Sequence, residues 1–179
     1  MTDVAETVFL DTNVLVYAHD ASAPEKRDVA RALLLGHLGD GTLRTSTQAL
    51  SEYFSVVTGK GETPLDPRAA AWLLEQLPAE AVVIPGLGAM RAAARRCAGG
   101  GLSIWDALIV EAARESGAAV LFTEDARLLR AVTPEVDGLR AVDPFAVSES
   151  PSSGAGAPVV DDALSPWASP EDEKAYRDL

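Results

Sequence analysis

Several features that mark other classes of protein are scarce in this chain of 179 residues. It has one cysteine, Cys97, so it can form neither an internal disulfide nor a cluster of thiolate metal ligands. It has no run of about eighteen or more apolar residues, and no basic segment leads into an apolar stretch at its start. We therefore expect a cytoplasmic protein with no membrane partner.

Positive charge is also scarce, because 15 Lys and Arg residues stand against 27 Asp and Glu residues and the net charge is −12. Proteins whose whole surface attracts nucleic acid normally carry a basic patch. The sequence excludes that class, so any contact with nucleic acid has to be local. The last part of the chain is the more acidic: residues 148–179 hold 7 acidic and 2 basic residues, and residues 1–147 hold 20 and 13.

Short apolar runs alternate with helical patterns over most of the chain. The runs predict strands at residues 7–10, 43–46, 81–84, 119–122 and 139–142, and the patterns predict helices at residues 24–38, 47–58, 66–77, 87–98 and 105–116. This alternation favours right-handed crossovers and a mostly parallel sheet that is covered on both faces. We predict an α/β fold, a three-layer α/β/α sandwich with about five strands, over residues 1–147. Residues 148–158 have the Ser, Pro, Gly and Ala composition of a flexible linker, and residues 159–179 form an acidic tail.

Four acidic residues lie where predicted strands meet helices. Asp11 and Asp125 follow the first and fourth strands, Glu52 lies about one turn into a helix, and Asp106 begins another helix. Ligands of parallel sheets bind at the carboxyl ends of the strands, and clustered carboxylates suit Mg²⁺ or Mn²⁺. Each acid also has a structural alternative, since aspartates are good helix caps and a glutamate suits a solvated helix face.

The motifs around these acids resemble those of the PIN-domain nucleases, especially VapC-type toxins of toxin-antitoxin systems. The resemblance spans residues 8–142 and rests on Leu10-Asp11-Thr12-Asn13, on Glu52 within a helix, on Asp106-Ala107-Leu108-Ile109 and on Thr123-Glu124-Asp125. It implies a Mg²⁺- or Mn²⁺-dependent endoribonuclease that hydrolyses RNA phosphodiester bonds with a metal-activated water. It also implies a homodimer silenced by an antitoxin protein.

The same resemblance implies roles for individual residues. Asp11, Glu52 and Asp106 match the three strongest catalytic and metal-ligating positions, and Asp125 matches a weaker fourth. The supporting polar positions are matched by Asn13 and Thr123. The family loop often continues to a glycine, whereas here it continues to Ala126 and Arg127. The orientation of Asp125 is therefore open, as is whether Glu124 takes its place.

Arginines in two helical segments are candidates for local RNA contacts, namely Arg91, Arg95, Arg96, Arg127 and Arg130. The alternative is that they belong to solvated helix faces.

The acidic tail resembles the carboxyl-terminal part of antitoxins that lie across the PIN groove. Our hypothesis is that this tail binds and inhibits the active site, with Trp167, Tyr176 and Arg177 as its anchors. A disordered acidic tail is the alternative, and the sequence leaves open whether the fusion is natural.

Two other functions compete with the nuclease. A haloacid-dehalogenase-like phosphatase also begins with an aspartate after its first strand, but that chemistry needs a second aspartate where this chain has Asn13. A catalytically silent PIN-fold binding module is the other alternative, and metal binding would separate it from an enzyme.

Overall fold

A computed structural model describes residues 6–59 and 64–146 of the chain. Within them, five strands form one parallel sheet. The second strand occupies the predicted segment, and the other four are shorter than predicted by one or two residues. The strands are β1 (Val8–Leu10), β2 (Leu43–Ser46), β3 (Val82–Val83), β4 (Val120–Phe122) and β5 (Arg140–Val142).

The five longer helices predicted from the sequence are present, each within one or two residues of its predicted ends. Three short helices of four to six residues were not predicted. The helices are α1 (Thr12–Tyr17), α2 (Pro24–Gly39), α3 (Thr47–Val57), α4 (Pro67–Gln76), α5 (Leu87–Ala98), α6 (Ile104–Glu115), α7 (Ala126–Ala131) and α8 (Pro134–Asp137). No helix in the described ranges is long and apolar enough to cross a membrane.

The strand order β3-β2-β1-β4-β5 explains the layers of the fold. From β1, the chain adds β2 and β3 on one side of the sheet and β4 and β5 on the other. Right-handed crossovers that run in opposite directions place their helices on opposite faces of the sheet. The predicted α/β/α sandwich is confirmed, and β1 and β4 lie at the point where the direction of winding reverses.

The central strands form the centre of the core. Phe9, Leu10 and Leu121 are completely buried, and Val110 of α6 is buried with them. Burying an aliphatic or aromatic side chain of this size contributes about 1.5–3 kcal/mol. The β1–β4 pair thus lies in the centre of the core, and its carboxyl end positions the polar residues described next.

Candidate active site

The carboxyl ends of β1 and β4 bring Asp11 and Thr123 together. Leu10 and Phe122 pair in the sheet, so the residues after them are neighbours. The Thr123 hydroxyl donates to Asp11 Oδ2 at 2.7 Å. The Asn13 amide nitrogen donates to the same Asp11 oxygen at 3.1 Å and to the Thr123 hydroxyl oxygen at 3.0 Å. The two predicted supporting residues thus contact the first acid directly.

Asp11 is a buried carboxylate with an altered affinity for protons. It is 6% exposed and caps α1, with its Oδ1 accepting from the Thr12 backbone N–H at 2.7 Å. The pKa of Asp11 is raised to about 6, mainly by burial; the hydrogen bonds from Thr123 and Thr12 oppose this rise, and the negative charges of Glu52 and Asp125 add to it. The surroundings of Asp11 therefore disfavour its charged form.

Glu52 of α3 leans over the same edge and is held by two residues that the sequence analysis did not identify. The Thr12 hydroxyl donates to Glu52 Oε2 at 3.0 Å, and the Gln48 amide donates to Glu52 Oε1 at 2.9 Å. The same Gln48 amide donates to the Trp105 backbone carbonyl of α6 at 3.1 Å. The spacing of Gln48 and Glu52, one helical turn apart, is the signal that could have suggested this contact.

Asp106 reaches the site from α6, but it is not the helix cap that the sequence suggested. The helix begins two residues earlier than Asp106, and Ser103 is the cap. The Asp106 backbone N–H donates to the Ser103 hydroxyl at 3.1 Å, and Asp106 Oδ2 accepts from the Ser103 N–H at 3.4 Å. This reciprocal capping box fixes the Asp106 side chain at the start of α6.

Asp125 caps α7 and is paired with an arginine of the same helix. Its Oδ1 accepts from the Arg127 backbone N–H at 2.7 Å, and its Oδ2 lies 2.9 Å from Arg127 Nη2. The Arg127 guanidinium holds the pKa of the Asp125 carboxyl below its usual range. The same nitrogen lies 3.6 Å from Asp106 Oδ2, so one cation contacts two of the four acids.

Glu124 also lines the pocket and has two partners. Its carboxylate lies 2.6 Å from Lys26 Nζ and accepts from the Tyr17 hydroxyl at 2.8 Å. The Tyr17 ring packs edge-on against Phe145, with ring centroids 5.0 Å apart. Glu124 therefore links α1, α2 and the loop after β4, whereas Asp125 shares its cation, Arg127, with Asp106.

All four predicted acids line one pocket of about 390 Å³, together with Glu124 and Asp20. Their oxygen donors are of the type that Mg²⁺ and Mn²⁺ prefer. The donor set therefore fits a divalent cation. Across residues 6–59 and 64–146, however, no three Asp, Glu, His or Cys side chains are already arranged to hold one.

Of the five predicted RNA-binding arginines, Arg127 alone pairs with acids that line this pocket. Arg91 and Arg95 are exposed on α5 and Arg130 is exposed on α7, and none of them lines the pocket. Arg96 is held by two carboxylates, with Nη2 at 2.9 Å from Glu111 Oε1 and 2.6 Å from Asp137 Oδ1. We therefore do not assign Arg96 to RNA. The tail anchors Trp167, Tyr176 and Arg177 lie outside the described residues.

A second, more apolar groove of about 640 Å³ shares Gln48, Glu52 and Trp105 with the acidic pocket. Beside it, large apolar side chains are exposed on α5 and on the segments that precede α5 and begin α6. Ile84, Leu87 and Trp105 are 77%, 64% and 61% exposed, and Met90 is also exposed. We call these four residues the apolar patch. Exposed apolar side chains that lie close together are typical of interaction surfaces.

Known proteins resemble this chain in sequence pattern and in fold. The PIN domain family model matches residues 8–133. The fold is similar to that of FitAB bound to an IR36 DNA fragment, with a TM-score of 0.54, 17% identity, and coverage of 78% of this chain and 96% of that one. It is also similar to VapBC2 from Rickettsia felis bound to a promoter DNA fragment, with a TM-score of 0.53, 17% identity, and coverage of 75% and 96%. No curated protein matches the chain.

Proposed function

Since the chain belongs to the PIN domain family, we propose that it is a metal-dependent endoribonuclease and the toxin of a toxin-antitoxin pair. One observation carries this proposal: Asp11, Glu52, Asp106 and Asp125, from four separate segments, line a single pocket at the carboxyl edge of a parallel sheet. Capping alone does not account for this, because Glu52 is not a cap and its carboxylate faces the same pocket.

The four acids would hold Mg²⁺ or Mn²⁺, which supplies an easily deprotonated water and positive charge for the leaving oxygen. The chain itself supplies orientation. Thr123 and Asn13 fix the Asp11 carboxylate from one side, and Thr12 and Gln48 fix Glu52 from the other. Such supporting hydrogen bonds keep ligands in place and exclude other rotamers. We assign Asp125 as the fourth acid, because Glu124 is paired with Lys26 and Tyr17.

Single substitutions within the pocket test this assignment. Asp11→Asn and Glu52→Gln should each lower metal-dependent RNA cleavage by at least about a hundredfold, as expected when a metal ligand or its orientation is lost. Asp20→Asn is the matched control, because Asp20 lines the same pocket but its carboxylate binds Ser22 at 2.6 Å. Cleavage of DNA but not RNA would contradict the substrate class, and equal loss in all three variants would contradict the residue roles.

We also propose that the apolar patch forms a homodimer interface. The patch residues lie on neighbouring elements, and α5 and α6 make extensive contact with each other, so the patch rests on a rigid support. In a two-fold dimer, the same surface of two copies forms the interface, so the apolar patch of one copy would be covered by that of the other.

The two similar structures contain the complexes FitAB and VapBC2, each bound to DNA. By analogy, we propose an antitoxin protein as the other partner of this chain.

The proposed self-inhibition by residues 148–179 draws on their attachment to the same chain and on the charge of the pocket. A segment that is linked to its target acts on it at high effective concentration. Because carboxylates line the pocket, it would accept a cationic group, and Arg177 is one of two basic residues in this segment.

Charge reversal in the full chain tests this inhibition. Arg177→Glu should raise RNA cleavage, and Lys174→Glu, the control at the other basic residue, should have a smaller effect. If removal of residues 148–179 left cleavage unchanged, inhibition by the tail would be ruled out, and an antitoxin protein would remain as the proposed inhibitor.

A further inference from the structure

Arg127 places a positive charge on two of the proposed metal ligands. Its guanidinium lies 2.9 Å from Asp125 Oδ2 and 3.6 Å from Asp106 Oδ2. Helix capping does not require this contact, because the Arg127 backbone N–H already satisfies the Asp125 cap. The side chain is therefore an additional cation at the site.

The exposed fractions of the three side chains show that Arg127 lies on the solvent side of the two acids. The Asp106 and Asp125 side chains are 15% and 26% exposed, whereas the Arg127 side chain is 55% exposed. The arginine thus approaches the two acids from the solvent side and can leave without opening the core. Two of the four acids are thus engaged with Arg127.

We propose that Arg127 is a built-in counter-cation that competes with the divalent metal ion for Asp106 and Asp125. This inference rests on the proposed function, because it assumes that these acids bind metal. A metal ion that takes both carboxylates has to displace the guanidinium. The apparent metal affinity is then reduced by the fraction of molecules in which Arg127 occupies the acids.

The competition is measured by calorimetric titration of Mn²⁺ into the full chain. Arg127→Ala should bind Mn²⁺ about two- to tenfold more tightly than the wild type, the range expected when a partly exposed ion pair no longer competes. Arg127→Lys, which keeps the charge without the planar fork, should lie between them. Arg130→Ala is the matched control, because Arg130 is exposed on the same helix and makes no ion pair within the described ranges.

Asp11→Asn separates failure of this inference from failure of the proposed site. If Asp11→Asn weakens binding but Arg127→Ala binds Mn²⁺ like the wild type or more weakly, the metal site stands and the competition is refuted. If neither the wild type nor Arg127→Ala binds Mn²⁺, the metal site itself is contradicted and the inference falls with it. Thermal unfolding of each variant in EDTA checks that affinity differences are not folding defects.

Discussion

Asp11 should destabilise the metal-free protein at neutral pH. Its pKa rises from 3.8 to about 6 on folding, so the folded state retains a proton that the unfolded state has already lost. The free energy of unfolding therefore falls as pH rises from about 4 to about 6 and is constant above that range. Two pKa units at 1.36 kcal/mol each make this cost about 3 kcal/mol.

Asp11→Asn removes the ionisation but also replaces an acceptor oxygen by a donor facing Thr123 and Asn13. The resulting hydrogen-bond penalty does not depend on pH, whereas the ionisation does. The informative quantity is therefore the difference in unfolding free energy between Asp11→Asn and the wild type. Between pH 4 and pH 7, the unfolding free energy of the variant should rise relative to that of the wild type by up to about 3 kcal/mol.

The assay is urea unfolding of both proteins in EDTA at several pH values. A difference that stays constant from pH 4 to pH 7 would refute the account of Asp11, because it would mean that the carboxylate titrates alike in the folded and unfolded chains. Addition of Mg²⁺ at pH 7 should stabilise the wild type much more than the variant, since ligands that bind only the folded state raise its stability.

Two further predictions concern stability and assembly. Asp137→Ala should lower the unfolding free energy by about 1–3 kcal/mol in urea, because Arg96 loses its fully buried partner but keeps Glu111, whereas Glu135→Ala, at an exposed site on α8, should change it by less than about 0.5 kcal/mol. Leu87→Glu should convert the dimer to monomer in sedimentation, and the exposed Val136→Glu, outside the apolar patch, should not; a monomeric wild type would contradict the dimer.

The sheet and the long helices could be predicted because their signals are local. An apolar run such as β1, or a Pro-to-Gly helical pattern such as α2, can be recognised within about fifteen residues. Helices α1, α7 and α8 were missed since four to six residues are too few to show a period. The cap of α6 was misplaced because Asp106 and Ser103 are both good caps, and only the structure shows that Ser103 fills that role.

The candidate site was predictable in its acids but not in their partners. Strand ends gave the positions of Asp11 and Asp125, since parallel strands share one carboxyl edge. Pairings between distant segments have no local signal. Arg96, for example, resembles its neighbours Arg91 and Arg95, and its bond to Asp137 joins residues that are 41 positions apart. The contacts of Gln48 with Trp105 and of Lys26 with Glu124 could not be predicted from the sequence for the same reason.

The central claim is that the acidic pocket cleaves RNA with a divalent metal, and cleavage of a mixed RNA pool tests it most directly. Residues 1–147 and the full chain are compared with Mn²⁺ and with EDTA, and Asp11→Asn in the short form is the blank. We expect Mn²⁺-dependent cleavage by the short form, weaker cleavage by the full chain and none by the blank. Folded protein of both lengths that leaves the pool intact with Mn²⁺, or a blank as active as its parent, would contradict it.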